Sequence, residues 1–264
     1  MRKAVSDGRP IIGSGAGTGI SAKCEAAGGS DLIIIYNSGR YRMAGKPSIA
    51  GTMPFGDANG IIMEMAGEVL PVVKDIPVIA GVCAQDPFRP MDRFLKQLLE
   101  TGFSGVQNFP TVGVVDGNYR YRLEHAGMGF DKEVEMIALA RKLGLLTTPY
   151  AFDEEQAQEM AKAKADILVA HMGGTVGGAV GNVVEMTLTE AAVRIQRIHD
   201  AAKAVNPDIL VICHGGPVAE PEDAEYILKN TRGVAGFYGA SSMERLPVER
   251  AITEQVRKFR KIKF

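Results

Sequence analysis

Two histidines close apolar runs and stand at corresponding positions. His171 ends the run Asp166–His171 and His214 ends Asp208–His214, and a Gly-Gly pair follows closely after each. Imidazole has the unperturbed pKa best suited to proton transfer near neutrality. We therefore predict His171 and His214 as catalytic acid and base. The alternative is a structural pair, held by hydrogen bonds.

Two further side chains are candidates for catalysis. Cys83 ends the apolar run Pro77–Cys83, where a thiol can act as a nucleophile. More often a cysteine in this position is a small buried hydrophobe. Asp57 precedes a predicted helix, so it is a candidate acid or base, and equally a helix N-cap.

The segment Tyr36–Arg42 carries groups that bind anions. Asn37 and Ser38 offer small polar donors, and Arg40 and Arg42 can each hold a carboxylate or phosphonate through two parallel hydrogen bonds. We predict Asn37, Ser38 and Arg40 as substrate-binding residues. The alternative is a solvated loop with ordinary arginines.

Glycine-rich turns offer backbone N–H groups to an anion. Gly15 lies in the stretch Gly13–Gly19, whose spacing matches neither the dinucleotide fingerprint nor the P-loop. It is a candidate anion cradle, or simply a tight turn. Further candidates for binding a substrate's phosphoryl group follow the last two apolar runs, and these are Gly215, Gly216, Gly239, Ser241 and Ser242.

Eight short apolar runs alternate with amphipathic helical segments, as expected for buried parallel strands. This alternation predicts a (β/α)8 barrel in which residues 1–264 form a single domain. The predicted strands are Pro10–Gly13, Asp31–Tyr36, Pro77–Cys83, Phe103–Asn108, Leu145–Tyr150, Asp166–His171, Asp208–His214 and Val234–Gly239.

Three connections are much longer than a minimal strand-to-helix link. They follow strands 2, 4 and 6 and cover residues 38–57, 109–130 and 172–188. Barrel enzymes build their sites on this face, and loops of such length are usually functional. Asn108, at the end of strand 4, and Glu124, in the loop beyond it, are therefore predicted to contact substrate. For Glu124 the alternative is a short exposed helix with paired charges.

Composition excludes several classes of function. The formal net charge of −1 gives no global attraction to nucleic acid or to an anionic membrane, and no apolar run approaches a membrane span. Three widely spaced cysteines indicate a reducing compartment, so we expect a cytoplasmic protein. No lysine ends a strand, which argues against a Schiff-base mechanism.

Taken together, these motifs resemble one known family. The segments are GSGAGTGISAKCEAAGGSDLIIIYNSGRYRMAG, GDANGIIMEMA, AGVCAQDPF, GVQNFPTVGVVDG, HMGGTVGG, ICHGGP and FYGASSMERLPVE. They resemble the phosphoenolpyruvate hydrolase-like family of TIM barrels, which is similar to the C-terminal barrel of a plant antiviral resistance protein. The resemblance extends over essentially the whole chain. It implies a relation to the phosphoenolpyruvate mutase/isocitrate lyase superfamily and to phosphonopyruvate hydrolase.

The resemblance also implies a Mg²⁺ cofactor, held by an Asp-x-Asp pair on strand 3 and a glutamate on strand 4. The corresponding positions here are Gly81, Cys83 and Asn108, which lack the oxygen ligands that Mg²⁺ prefers. The Mg²⁺ prediction is therefore in conflict with the sequence. The same resemblance places Asn37 and Ser38 at the turn that grips the substrate carboxylate and Asp57 at a superfamily aspartate.

Three hypotheses of function remain. The first is a hydrolase acting on phosphonopyruvate, phosphoenolpyruvate or a similar small anionic oxo acid. The second is a carbon–carbon lyase or isomerase on a similar substrate, and the third is a ligand-binding or regulatory barrel without catalysis. The amphipathic segment Pro247–Phe259, with its basic tail, and the superfamily's habit of packing the last helix between subunits lead us to expect a homo-oligomer.

Overall fold

The computed structural model describes residues 1–264. Its core is one sheet of nine parallel strands with helices between them, so the predicted α/β class and parallel sheet are confirmed. Branched apolar residues dominate the second, third, seventh and eighth strands, and nearly all side chains of the sheet are buried. The strands are β1 Ile11–Gly15, β2 Leu32–Ile35, β3 Val78–Gly81, β4 Gly105–Gln107, β5 Leu146–Thr147, β6 Tyr150–Ala151, β7 Ile167–His171, β8 Leu210–His214 and β9 Gly236–Gly239.

The helices follow the strands in alternation. They are α1 Arg2–Ser6, α2 Gly19–Ala27, α3 Asn37–Met43, α4 Ala58–Val69, α5 Met91–Thr101, α6 Gly117–His125, α7 Phe130–Lys142, α8 Glu154–Lys162, α9 Leu188–Val205, α10 Pro221–Lys229 and α11 Arg245–Arg260. Helix α3 and a 3-10 turn at Ser48–Thr52 lie between β2 and α4, and α6 lies between β4 and α7.

The sheet has nine strands where eight runs were predicted, because the fifth run forms two short strands. The strand order is β5-β4-β3-β2-β1-β9-β8-β7-β6, so β5 and β6 lie at opposite ends of the sheet although only two residues separate them. Pro149 lies in this gap and cannot donate to a ladder hydrogen bond. Instead, its carbonyl accepts from Val169 at 2.8 Å, while the N–H of Thr148 donates to Val106.

The sheet curls so that its two ends meet. The ring of Phe109, just beyond β4, lies 6.2 Å from the ring of Tyr150 on β6, although these strands are far apart in the strand order. Tyr150 and Tyr238 of β9 have ring centroids 6.0 Å apart across two intervening strands. Neighbouring strands of a sheet are about 4.8 Å apart, so three such spacings in a flat sheet would separate these two rings much further than the observed distance. The curl brings the carboxyl ends of the strands around one central space.

Candidate active site

A cavity of about 420 Å³ lies at the carboxyl ends of the strands. This volume is in the range of small-molecule sites. Its wall combines residues from the ends of β2, β6, β7, β8 and β9 with the segments after β2, β4 and β7. The lining residues with functional groups for chemistry include Tyr36, Arg42, Tyr150, His171, His214 and Ser241.

His214 is held as a neutral base. Its Nδ1 lies 2.7 Å from the carbonyl oxygen of Tyr238, which can only accept, so Nδ1 carries the proton and Nε2 keeps a lone pair. Burial lowers the pKa of His214 to about 4, the hydrogen bond to Tyr238 opposes that shift, and the charge of Arg42 adds to it. At neutral pH the ring is therefore an uncharged proton acceptor.

His171 has the opposite tautomer. The backbone N–H of Gly173 donates to its Nδ1 at 2.9 Å, so the proton of the neutral ring is on Nε2. Burial, followed by the neighbouring His214 and Arg194, holds the pKa of His171 well below its usual value. The two rings meet edge to face with centroids 4.5 Å apart. One imidazole thus offers a proton where the other offers a lone pair, and both predicted catalytic histidines line the same cavity.

Arg42 supplies a positive charge to the cavity wall. Its Nε donates to Glu244 at 2.7 Å and its Nη2 donates to the carbonyl of Gly15 at 3.1 Å, while both side chains are 1% exposed. Burial disfavours its charge, but the carboxylate of Glu244 outweighs burial, so the pKa of Arg42 is raised. Its Nη1 makes no hydrogen bond within the protein and remains available to an anion.

Three tyrosines surround the histidines. Tyr238 donates its hydroxyl to the hydroxyl of Tyr36 at 3.1 Å, and the guanidinium of Arg42 lies 5.6 Å from the Tyr36 ring centroid. The ring of Tyr150 stacks on His214 with centroids 5.4 Å apart. Burial raises the pKa of Tyr150 and Tyr238 well above the usual value, so both keep their protons. Sequence reasoning placed these tyrosines at strand ends without giving them a role.

Glycines at the end of β1 and in the turn after it make room for this cluster. A Cβ at Gly15 would lie 2.6 Å from the hydroxyl oxygen of Tyr238 and 2.9 Å from the Cβ of Ala240. A Cβ at Gly17 would overlap the carbonyl of Gly39. Gly15 does not line the cavity, so packing against Tyr238 accounts for this glycine without a ligand.

Asp57 and Cys83 lie outside the cavity lining. Asp57 is the N-cap of α4, accepting from Gly60, and it forms an ion pair with Arg89 at the surface. The main chain of Cys83 exchanges two hydrogen bonds with the side chain of Asn59. Burial raises the pKa of the Cys83 thiol to about 11, so the thiol is not a poised nucleophile. Asp57 thus has the N-cap position given as its alternative, whereas Cys83 is only partly buried, and neither residue is part of the cavity lining.

The predicted binding residues after β2 divide into two groups. Ser38 lines the cavity, and its hydroxyl donates to the carbonyl of Ser48 at 2.6 Å. Asn37 does not line the cavity, and its side chain donates to the carbonyl of Gly51. Arg40 points outward and pairs with Glu64 at the surface. Of these two arginines, Arg42 lines the cavity and Arg40 does not, since residues two apart on a helix face opposite sides.

The loop after β4 is fixed by a buried acid that sequence reasoning missed. Glu133 of α7 accepts hydrogen bonds from Gln85, Thr111 and the N–H of Val112 at 2.6 to 2.9 Å, and from Asn108 at 2.5 Å. Burial raises the pKa of Glu133 to about 7. Asn108 also exchanges two hydrogen bonds with the main chain of Tyr150. The side chain of Asn108 is thus occupied within the protein and does not line the cavity.

The remaining predicted residues are spread over this face. Glu124 pairs with Arg120 on α6 at 2.5 Å, as in the alternative of an exposed helix with paired charges. Ser241 lines the cavity, while Ser242 faces a separate groove beside α10. Three predicted glycines shape the strand ends without appearing in the lining, and these are Gly215, Gly216 and Gly239.

The carboxyl end of β3 does not fit a magnesium ion. A Cβ at Gly81 would overlap the Cβ of Tyr36 and lie 3.1 Å from the carbonyl of Phe109, so there is no space for an acidic side chain. Asn108 is occupied, as described above. No group of three or more His, Cys, Asp or Glu side chains is placed to hold a metal ion.

Comparison with known proteins places the chain in a family. Residues 1–262 match the model described as phosphoenolpyruvate hydrolase-like. The chain belongs to this family. It is 62% identical to the ToMV susceptible protein tm-1(GCR26) of Solanum lycopersicum over 262 residues, which is 99% of this chain and 35% of the tomato protein. The chain therefore spans about a third of the length of that relative.

Two solved structures show the fold. Oxaloacetate acetylhydrolase is 15% identical with a TM-score of 0.60, over 98% of this chain and 86% of that one. Phosphonopyruvate hydrolase, crystallised with oxalate and Mg²⁺, is 15% identical with a TM-score of 0.59, over 97% and 85%. These two likenesses show that the chain shares the fold of both enzymes. No helix of this protein has the length and apolarity needed to cross a bilayer.

Proposed function

We propose that this protein is an enzyme that binds a small anionic 2-oxo acid and hydrolyses it, with phosphonopyruvate as the first candidate substrate. The observation that carries the proposal is the pair of neutral histidines in complementary tautomers on one cavity wall. An acid and a base held side by side in a site of about 420 Å³ suit a small substrate that must lose a proton at one atom and gain one at another.

Anion binding in this proposal rests on Arg42. Arg42 and Ser241 both line the cavity, and the buried partner Glu244 fixes the guanidinium in position. The carboxylate of a 2-oxo acid would take the bond from Arg42, since a charged hydrogen bond in a buried site is a strong one. The hydroxyls of Tyr36 and Tyr150 would donate to the substrate's carbonyl oxygen.

The reaction then balances without further groups. His214 Nε2 takes a proton from water as the water oxygen bonds to phosphorus, and the carbon–phosphorus bond breaks. Its electron pair passes into the pyruvate enolate, whose oxygen is held by the tyrosine hydroxyls. His171 Nε2 delivers its proton to the enolate carbon and takes up the proton that His214 received from water, so pyruvate and phosphate form and both rings return to the neutral state. No step is assigned to Mg²⁺, because the residues at the end of β3 do not fit that ion.

Release of phosphate and pyruvate from phosphonopyruvate tests the proposal. We expect turnover that is retained in EDTA and that falls at least 100-fold in His214→Ala and His171→Ala, the usual contribution of a general acid or base. His125→Ala is the matched control, because His125 lies on α6 outside the cavity. Equal activity in all three variants, or activity that depends on added Mg²⁺, would refute the assignment.

A carbon–carbon cleavage is the second candidate, because the structural neighbours include oxaloacetate acetylhydrolase. The same histidine pair would serve, with water attacking a carbonyl carbon. Release of oxalate and acetate from oxaloacetate, with no phosphate from phosphonopyruvate, would select this activity. A 2-oxo acid that binds and is recovered unchanged would indicate the ligand-binding alternative.

We further propose that the sheet is a (β/α)8 barrel and that residues 1–264 form one domain. In this description β5 and β6 are two halves of one strand, interrupted at Pro149, that closes the barrel between β4 and β7. The long segments after β2, β4 and β7 would then be its substrate-binding loops. A cytoplasmic location remains a prediction.

We also propose that the protein is a homo-oligomer. Helix α11 is exposed along most of its length and carries an apolar stripe whose members include Ile252, Val256 and Phe259, each more than 60% exposed. A groove of about 710 Å³ beside α10 is lined by apolar side chains that include Phe237 and Met243. We expect Ile252→Asp to lower the mass measured by light scattering in solution. An unchanged mass would mean that the stripe is not an interface.

A further inference from the structure

The first turns of α11 hold two walls of the cavity at once. Glu244, immediately before α11, pairs with Arg42, and its second oxygen accepts from the N–H of Gly17 at 2.8 Å. Arg245, the next residue, points to the segment after β7 and is 4% exposed. Two consecutive residues therefore connect α11 to opposite sides of the site.

Arg245 and Glu249 grip the backbone of the segment after β7. The Nη2 of Arg245 donates to the carbonyl of Gly177 at 3.0 Å, and its Nη1 lies 3.1 Å from Glu249 Oε1. The other oxygen of Glu249 accepts from the N–H of Ala179 at 3.0 Å. The ion pair thus bonds to the carbonyl and the N–H on either side of Gly178. We call these two side chains the α11 clamp.

The backbone conformation of Gly178 allows this contact with the clamp. Its φ of +73° is a conformation that side-chain-bearing residues rarely adopt. A Cβ there would overlap Nη1 of Arg245 and lie 2.7 Å from Leu246 Cδ2. The backbone at Gly178 therefore lies directly against the clamp, and no other residue type fits between them.

The gripped segment forms one side of the cavity. Gly173, Gly174 and Thr175 line the site just before the clamp, and Asn182 and Glu185 line it just after. Gly173 is also the residue whose N–H fixes the tautomer of His171. The first part of the segment is also held by the end of β8, since the N–H of Gly216 donates to the carbonyl of Gly173 at 2.8 Å, whereas residues 177–186 are all at least partly exposed.

We propose that Arg245 and Glu249 are positioning residues, which hold the segment after β7 in place and so fix the orientation and tautomer of His171. The clamp acts through Gly177–Ala179 and touches no substrate. It also connects the cavity wall to α11, so a change in the packing of α11 is transmitted to His171. This inference does not depend on which reaction the site performs.

Hydrogen exchange and histidine NMR of the full chain test the clamp. In Glu249→Ala we expect amide exchange of residues 173–182 to accelerate at least tenfold, while amides of α7 keep their wild-type rates. The ¹⁵N shifts of His171 should move from one pure tautomer towards an average of two. Glu254→Ala is the matched control, because Glu254 pairs with Lys258 on the same helix and contacts no segment of the cavity.

The outcomes separate the proposal from a merely structural role. Wild-type exchange and an unchanged His171 signal in Glu249→Ala would overturn it, and so would equal effects in Glu254→Ala. Glu249→Gln, which can still accept from Ala179 but loses the charge, should lie between wild type and Glu249→Ala. Glu249 is 28% exposed, so these variants avoid the buried Arg245, whose loss would threaten folding. Failure of the hydrolase assay would leave these results standing.

Discussion

Substituting alanine for Gly15 tests whether this glycine serves packing or ligand binding. The added Cβ would lie 2.6 Å from the Tyr238 hydroxyl oxygen. Cβ atoms in proteins essentially never lie closer than 3.0 Å to another heavy atom, so something must shift. The Tyr238 ring is completely buried and bonded to Tyr36, so it cannot swing aside. Inserting a methyl group into such a core costs about 1 to 3 kcal/mol. We expect Gly15→Ala to lose that amount of unfolding free energy.

The matched control is Gly67→Ala in α4. No atom lies within 4 Å of a Cβ at Gly67, so the substitution meets open space. Alanine is more favourable than glycine inside a helix by about 0.5 to 1 kcal/mol, so this variant should gain stability. Urea unfolding followed by circular dichroism measures both, provided that the slope with urea stays constant. A loss below about 0.5 kcal/mol for Gly15→Ala would refute the packing argument.

Three further outcomes follow from the buried charges and the histidines. The His214 ring should stay neutral in ¹⁵N NMR spectra down to about pH 4, with its proton on Nδ1. Because the pKa of His214 is lower in the folded protein than the usual histidine value of 6.5, the free energy of unfolding should decrease as the pH falls from 6.5 towards 4. The pKa of Glu133 is raised, so its contribution to the free energy of unfolding is complete below pH 4.5 and is lost as the pH rises through about 7. Urea titrations at pH 5 and pH 8 should show this loss of stability in the wild type and not in Glu133→Gln. Arg42→Met leaves Glu244 buried without its cation and should cost about 3 to 5 kcal/mol in the same assay, whereas a cost below 1 kcal/mol would show that the pair is not buried in solution.

The strands were largely predictable because burial on both faces leaves a continuous apolar run. Six of the eight predicted runs each contain one whole strand, the first run overlaps β1 but ends two residues before β1 does, and the exception is the run that contains Pro149. A proline inside a central strand is itself a warning, since it removes a ladder donor. The split of this run into β5 and β6 was therefore signalled in the sequence.

The two histidines were also predictable, because both stand at strand ends. Their tautomers were not, since these depend on the carbonyl of Tyr238 and the N–H of Gly173. Arg40 was preferred to Arg42 for a local reason. The segment was interpreted as a loop, but it is α3, which turns the two side chains to opposite sides, so that Arg42 lines the cavity and Arg40 does not. Glu244 carried no signal, because its partner lies 202 residues away in the sequence.

The bond between Arg42 and Glu244 also has a consequence for the order of folding. It joins residues that are 202 positions apart, and contacts of such separation form late because a large loop must close first. During synthesis, the chain up to β8 can pack its strands while Arg42 still lacks its counter-ion. We therefore expect the nascent protein to acquire its binding cavity only after Glu244 has emerged from the ribosome.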